Sequence, residues 1–228
     1  MRAAVCRAFG QPLTIEDVTI DPPGPSQVAV ELADCAICHS DISYAEGAWG
    51  GNLPAVYGHE AAGHVTAVGP GVRDLAAGDR VLVTLIRACG TCPACAGGDP
   101  TSCDHAWDMP PSPLRDAGGT PLAQGMKTAA FAEAVVVDRS QCVALPDDLP
   151  LEQACLLACG VITGVGAVVN SARVPPGADV AVIGAGGVGL NTIQGAALAG
   201  AARIIAIDVA EAKLAAARPF GALSLIHI

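Results

Sequence analysis

Four cysteines constrain this chain more than any other feature. Residues 88–127 run for about 40 positions with little hydrophobic periodicity and many Cys, Gly and Pro residues. A stretch of that length needs an outside constraint to hold one structure inside a compact domain. Cys89, Cys92, Cys95 and Cys103 offer it, in the spacing C-x2-C-x2-C-x7-C. Thiolates two residues apart turn inward on one tight loop, and four of them fill a tetrahedral shell with no vacancy. Gly90, Pro93, Gly97 and Gly98 supply the turns. A closed shell is structural rather than catalytic. Zinc is the favoured ion, and an iron–sulfur cluster, which also uses C-x2-C-x2-C, stays open on spacing alone. A disulfide pairing is disfavoured in the cytosolic setting argued next.

The balance of residue types bounds the remainder. Hydrophobic residues make up 52% and charged ones 15%, so the chain has the material for a real core. Aromatics are only 3%, which leaves Val, Ile, Leu and Ala to fill that core. Acidic residues outnumber basic ones, 22 to 12, and no Lys/Arg cluster exists to grip a phosphate backbone. Nucleic acid is therefore not an expected partner. Met1–Gly10 lacks the long apolar core of a signal peptide, and no run of about 18 apolar residues follows, so no membrane partner is expected and the cytoplasm is the expected compartment.

The first part of the chain reads as β-rich. Residues 13–20, 27–32, 60–68, 80–83 and 131–137 alternate in strand fashion, separated by Gly and Pro clusters, and a short helix is predicted from His39. After Pro150 the texture changes: residues 151–172 read as mostly helical. The apolar runs 180–183 and 204–207 then flank a predicted helix over 188–199. Strand, helix and strand, with both strands apolar throughout, predict a βαβ unit of a parallel sheet.

The turn opening that helix is Gly184-Ala185-Gly186-Gly187-Val188-Gly189, a G-x-G-x-x-G pattern, and Asp208 ends the next strand 19 residues beyond Gly189. In that context the pattern predicts dinucleotide binding. The first glycine allows the turn, the second admits the pyrophosphate, and the third lets helix approach strand. Free N–H groups at the helix start, around Gly187 and Val188, would meet the phosphates. Asp208 would take the ribose 2′-hydroxyl and repel a 2′-phosphate, favouring NAD over NADP. A purely structural turn is the alternative.

Cys38, His59 and Cys159 are weak signals one by one, since a lone Cys is usually a small buried hydrophobe. Taken with their surroundings they carry more. Cys38-His39-Ser40-Asp41, Gly58-His59-Glu60, Gly78-Asp79-Arg80-Val81, the four-cysteine lobe, Cys159-Gly160-Val161-Ile162-Thr163-Gly164 and the glycine turn together resemble the zinc-dependent medium-chain alcohol dehydrogenases, from Met1 to about Ala217. The resemblance implies a two-domain α+β/α/β fold. A GroES-like β-rich catalytic domain would cover residues 1–160, with its structural zinc lobe at 88–105, followed by a truncated Rossmann NAD-binding domain at 161–222.

It further implies two zinc ions per chain. Cys38, His59 and Cys159 would ligate the catalytic ion, with Cys35 and Cys155 as core residues nearby. Three ligands leave one position for a substrate oxygen, so the bound alcohol ionises near neutral pH and releases hydride to NAD, giving an aldehyde or ketone. Ser40 is the hydroxyl implied to take the alcohol proton, Asp41 the carboxylate that orients His59, and Glu60 the acid behind the metal. His39 would lie near the coenzyme pyrophosphate, Thr163 beside the nicotinamide and Lys213 near the adenosine ribose. For His39 and Lys213 a solvated side chain is the alternative. Some relatives carry a histidine where Ser43 stands, so no role is implied for Ser43. The substrate would be a small alcohol or aldehyde, with glutathione-linked formaldehyde and polyol oxidation as variants; a reductase relative without zinc, disfavoured by the full ligand set, and a non-catalytic zinc-binding protein are the other classes. The parent enzyme would be a homodimer or homotetramer.

Residues 223–228, Leu-Ser-Leu-Ile-His-Ile, depart from the family pattern and read as the translation of a transposon mosaic-end sequencing adapter, with an ordinary apolar strand as the alternative. On the adapter reading the gene was cut there, and the 228-residue chain is expected to be inactive and poorly soluble, with an apolar sheet left uncovered.

Overall fold

The computed structural model describes all residues, Met1–Ile228. It divides into two compact units, Met1–Ala158 and Cys159–Ile228. In the first lie β1 (Arg2–Cys6), β2 (Thr14–Ile20), β3 (Gln27–Ala36), α1 (His39–Ala45), β4 (Ala55–Val56), β5 (Glu60–Val68) and β6 (Arg80–Thr84). α2 (Pro93–Ala96), β7 (Leu114–Asp116), β8 (Ala123–Gln124), β9 (Ala134–Asp138), β10 (Cys142–Ala144) and α3 (Leu151–Ala154) complete it. The second unit holds α4 (Gly160–Gly166), β11 (Asp179–Ile183), α5 (Gly187–Leu198), β12 (Arg203–Asp208), α6 (Glu211–Ala217) and β13 (Ser224–His227).

Two five-stranded sheets build the first unit, in the orders β7-β2-β1-β4-β8 and β10-β6-β5-β3-β9. Valine alternation explains the second. Val28 and Val30 on β3, Val81 and Val83 on β6, and Val135 and Val137 on β9 are all buried in one core cluster. Side chains two apart share a face, and β-branched residues suit that pleated surface. Strands β3 and β5 pair from Val28 opposite Val68 to Ala36 opposite Glu60, with register shifts at Ala29/Val30 and Leu32/Asp34. At that irregularity Gly63 is required, because a Cβ there would lie 2.0 Å from the Glu31 carbonyl oxygen.

The register does more than build a sheet. Ala36, the last residue of β3, pairs with Glu60, the first of β5, and Glu60 also pairs with Thr84 at the end of β6. Three strand ends therefore meet at one point. Cys38 lies two residues beyond one of them, and His59 lies one residue before another.

The second unit is a parallel sheet ordered β11-β12-β13 with α5 and α6 as crossovers. Its core joins Val182, Ile204 and Ala206 from the strands to Ile193, Ala196 and Leu214 from the helices. The sequence pattern predicts two strands here, and Ser224–His227 adds a third alongside β12, as the strand alternative for residues 223–228 expects. Residues 151–172 are not one helix either. A 3₁₀ turn over Cys155–Ala158 precedes Cys159, whose φ of −142° and ψ of −66° break the chain before α4, and a π-helical turn over Ala167–Ala172 follows. No single helix is long and apolar enough to cross a membrane.

Candidate functional site

Cys38 is the N-cap of α1 and leaves β3 in an extended conformation. Three residues on, Asp41 is buried, and its carboxylate ties three groups together. One oxygen accepts the Cys38 backbone N–H at 3.0 Å; the other accepts the Gly58 N–H at 2.9 Å and lies 3.1 Å from His59 Nδ1. A carboxylate oxygen can only accept here, so Nδ1 carries the ring proton and Nε2 presents a lone pair. His59 is fully buried, and its Nε2 has no hydrogen-bond partner. A buried nitrogen lone pair without a donor costs stability unless something electrophilic faces it.

The cluster around that nitrogen supplies the reason. The ligating atoms of Cys38, His59, Glu60 and Cys159 all lie within 4.8 Å of one another. Cys159 directly follows Ala158, the end of the first unit, and the Ala158 carbonyl accepts the Thr84 hydroxyl at 2.8 Å. The strand end at Thr84 thus fixes where the chain delivers Cys159. Two soft sulfurs and one neutral imidazole suit a zinc ion. Cys35 and Cys155 stay outside the cluster. Their thiols donate to the carbonyls of Ala36 and Glu152, and burial pushes Cys35 up to about 12 and Cys155 upward. Neither is poised to become a thiolate ligand.

In the lobe, Cys89, Cys92, Cys95 and Cys103 also gather their sulfurs within 4.8 Å. Tetrahedral ligation with Zn–S near 2.3 Å puts sulfurs roughly 3.8 Å apart, and Cys92 and Cys103 stand 4.0 Å apart. That is too far for a disulfide, and all ten cysteines are free. A four-iron cube would hold its cysteines wider. Backbone N–H groups of Thr91 and Cys92 point at the Cys89 sulfur, and that of Cys89 at Cys103. Donation from Thr91 draws Cys89 down to about 6, whereas desolvation pushes Cys95 up to about 12. Gly90 and Gly98 take the left-handed backbone the tight loop requires.

In the second unit, Gly184 turns with φ +93°, and Gly186 caps α5. Gly184, Gly186, Gly187, Val188 and Gly189 line a cavity of about 560 Å³. A Cβ on Gly186 or Gly187 would meet nothing within 4 Å, whereas one on Gly189 would lie 1.8 Å from the Gly184 carbonyl oxygen. The third glycine therefore closes the turn, and the other two leave space. Asp208 ends β12 with its carboxylate on this turn, accepting N–H groups of Ala185 at 2.7 Å and Ala210 at 2.9 Å. Those amides hold its carboxyl below the usual carboxylate range.

The remaining sequence candidates have simpler surroundings. Ser40 is half-buried on α1, and His39, Thr163 and Lys213 are exposed. Sequence reasoning passed over Thr84, whose hydroxyl anchors the residue before Cys159. Its only sequence signal is its place at the end of the strand that opens at Arg80, after the Gly78-Asp79 turn.

Comparison with known proteins agrees with this layout. Residues 24–147 match the alcohol dehydrogenase GroES-like domain family. An alcohol dehydrogenase zinc-binding domain protein from Burkholderia ambifaria superposes with a TM-score of 0.95 at 39% identity, over 99% of this chain and 63% of that one. Benzyl alcohol dehydrogenase from Acinetobacter calcoaceticus gives 0.91 at 31% identity, over 99% and 63%. Galactitol-1-phosphate dehydrogenase from Escherichia coli gives 0.81 at 31% identity, over 99% and 61%. The chain spans less than two thirds of the length of each of these structures. With the family match extending over more than half of its residues, the chain belongs to the zinc-dependent alcohol dehydrogenase family and contains that family's GroES-like domain.

Proposed function

We propose that this chain carries the metal centre and the coenzyme turn of an NAD-linked oxidoreductase that converts an alcohol to an aldehyde or ketone. The observation that carries the reading is the bare Nε2 of His59, fixed by Asp41 and gathered with Cys38, Glu60 and Cys159. Cys38, His59 and Cys159 would hold zinc there, and the four lobe cysteines a second ion. A zinc ion with three protein ligands supplies Lewis acidity toward an alcohol oxygen.

The chain's own residues do the rest. Asp41 keeps the imidazole proton on Nδ1, so the lone pair faces the ligand position. The Glu60 carboxylate lies beside that position. The hydroxyl of Ser40, two residues past Cys38, would take the alcohol proton while passing its own to water or the coenzyme ribose. Residues 161–222 act as the first part of a Rossmann domain, and the α5 start receives the coenzyme pyrophosphate at Gly187 and Val188. Asp208 would offer its carboxylate to a ribose hydroxyl, and its charge would disfavour a 2′-phosphate. His39, Thr163 and Lys213 are proposed coenzyme contacts at the pyrophosphate, nicotinamide and adenosine ribose.

Metal analysis tests the reading directly. The chain should bind two zinc ions; His59→Ala should lose one, and Cys95→Ser should lose the other. NAD titration should give saturable binding tighter than NADP, with the preference reduced in Asp208→Ser. One ion or none in the parent chain, or no discrimination between the coenzymes, refutes it.

A further inference from the structure

The chain is poor in aromatic residues, with two Trp, two Tyr and three Phe in 228 residues. Both tryptophans and both tyrosines nevertheless line a single cavity of about 320 Å³. Tyr44 meets Trp49 edge-on at 5.1 Å and stacks on Tyr57 at 5.8 Å. Trp107 is held by the Lys127 ammonium, 4.1 Å from its ring centre. The inner wall is closed and the mouth is open. Tyr57 is 3% exposed, whereas Trp49 and Trp107 are 59% and 71% exposed.

The loop over Gly125–Lys127 shapes the wall opposite. A Cβ on Gly125 would lie 2.4 Å from the Tyr57 ring, so only glycine lets the loop lie against it. Met126 and Lys127 follow with positive φ of 47° and 64°. Two consecutive non-glycine residues in that region cost stability that packing elsewhere must offset, a pattern found where a loop shapes a ligand clamp. The left-handed turn sets Met126 into the cavity wall and Lys127 against Trp107.

We propose that this cavity is the subsite for one aromatic ring, which makes the substrate an aryl-substituted alcohol or aldehyde. The proposal rests on the oxidoreductase reading above, because the cavity shares its segments with the metal centre. Tyr44 stands on α1, directly after Cys38, and Tyr57 stands two residues before His59. Its volume lies at the small end of the roughly 300–1,000 Å³ typical of ligand pockets, enough for a single ring. Aromatic edges and faces at two orientations favour a flat π-system over a saturated ring of the same size, because ring quadrupoles pair edge to face. The indole faces at the mouth are apolar surface that such a ring would cover.

Both tryptophans of the chain lie in this cavity, so intrinsic fluorescence reports on it alone. The test titrates the zinc-loaded chain with benzyl alcohol and with cyclohexylmethanol. A saturable emission change is expected with both, with benzyl alcohol binding about 3- to 10-fold more tightly. Trp107→Leu and Trp49→Leu, both at exposed positions, should each bring that ratio toward one with unchanged circular dichroism and zinc content. Equal affinities, or no saturable change, overturns the subsite. An emission shift that follows protein concentration without ligand also overturns it, since the patch would then join two copies of the chain. Zinc content of the same samples separates the two readings. Metal bound without ring preference refutes the subsite alone. Ring preference in a chain that binds no zinc at the Cys38–His59–Cys159 centre refutes the reaction and leaves the cavity as an aryl-binding site.

Discussion

Asp41 offers the sharpest test of how the site is built. Its carboxylate, 2% exposed, accepts from the Cys38 N–H, the Gly58 N–H and His59 Nδ1. Asp41→Ala strands all three donors in a buried place. Each stranded buried donor costs about 1–3 kcal/mol, and losses in one network are less than additive, so the sum should be about 3–6 kcal/mol. That is a large part of a typical total stability of about 5–15 kcal/mol. Asp41→Asn is the finer probe. Its amide oxygen can keep Gly58 and His59, which share one carboxylate oxygen, and its NH₂ then faces only the Cys38 N–H. The expected cost is about 1–3 kcal/mol. The neutral amide also makes Nε2 less basic, so zinc affinity at this centre should fall about 10- to 100-fold. Urea unfolding of the metal-free protein and chelator competition measure the two effects separately. If Asp41→Ala loses less than about 1 kcal/mol, or if Asp41→Asn keeps its stability and its zinc, the carboxylate does not organise the site.

The glycine turn yields a paired prediction. Gly189→Ala should lower the melting temperature of the second unit, costing about 2 kcal/mol or more because backbone blocks the new methyl, whereas Gly186→Ala should melt normally and weaken NAD binding alone; equal effects in melting and NAD titration would refute the division of roles. Stripping zinc with a strong chelator should leave residues 88–105 open to proteases while the sheets stay protected, and cleavage mapping decides it. Acid should also act at Asp208. Its folded carboxyl is held below the ordinary value of about 3.9, so its stabilising share is present above that value and is lost as pH falls through the lower folded value. Unfolding midpoints taken between about pH 6 and 3 should therefore drop less steeply in Asp208→Asn than in the parent. Ile183, Leu198 and Val209 are 78%, 80% and 69% exposed, so the chain should self-associate, and Ile183→Lys with Leu198→Lys should reduce light scattering; unchanged scattering would show that these faces are not the cause.

The parts of the fold that the sequence made legible are those written in local spacing. The alternation over residues 60–68 gives β5 with both its ends, and the cysteine spacing gives the lobe, because short loops force close sulfurs together. Gly184 and Gly189 are legible because a left-handed turn and a close backbone approach each admit little else. Short strands escape this reading. β4 and β8 have two residues each, too few for alternation to show, and they exist only because Ala55 and Val56 find partners far along the chain.

The break at Cys159 shows where local reading ends and why that matters for the site. Residues 151–172 have helical composition, and Gly160, directly after Cys159, is the one local sign of a break there. A contact from outside adds to it: the Thr84 hydroxyl donates to the Ala158 carbonyl. Beyond that anchored carbonyl, Cys159 takes a non-helical conformation. Thr84 reaches that point because Glu60 pairs with it on one side and with Ala36 on the other. One line of register across three strands therefore positions Cys38, His59 and Cys159 together. A shift of one residue between β3 and β5 would turn the buried valines outward and pull Cys38 from His59 in the same step. The hydrophobic pattern that stabilises the sheet is thus also what holds the ligand geometry. That coupling explains how ligands 21 and 100 residues apart in sequence meet at one point, although their spacing carries no signal of its own.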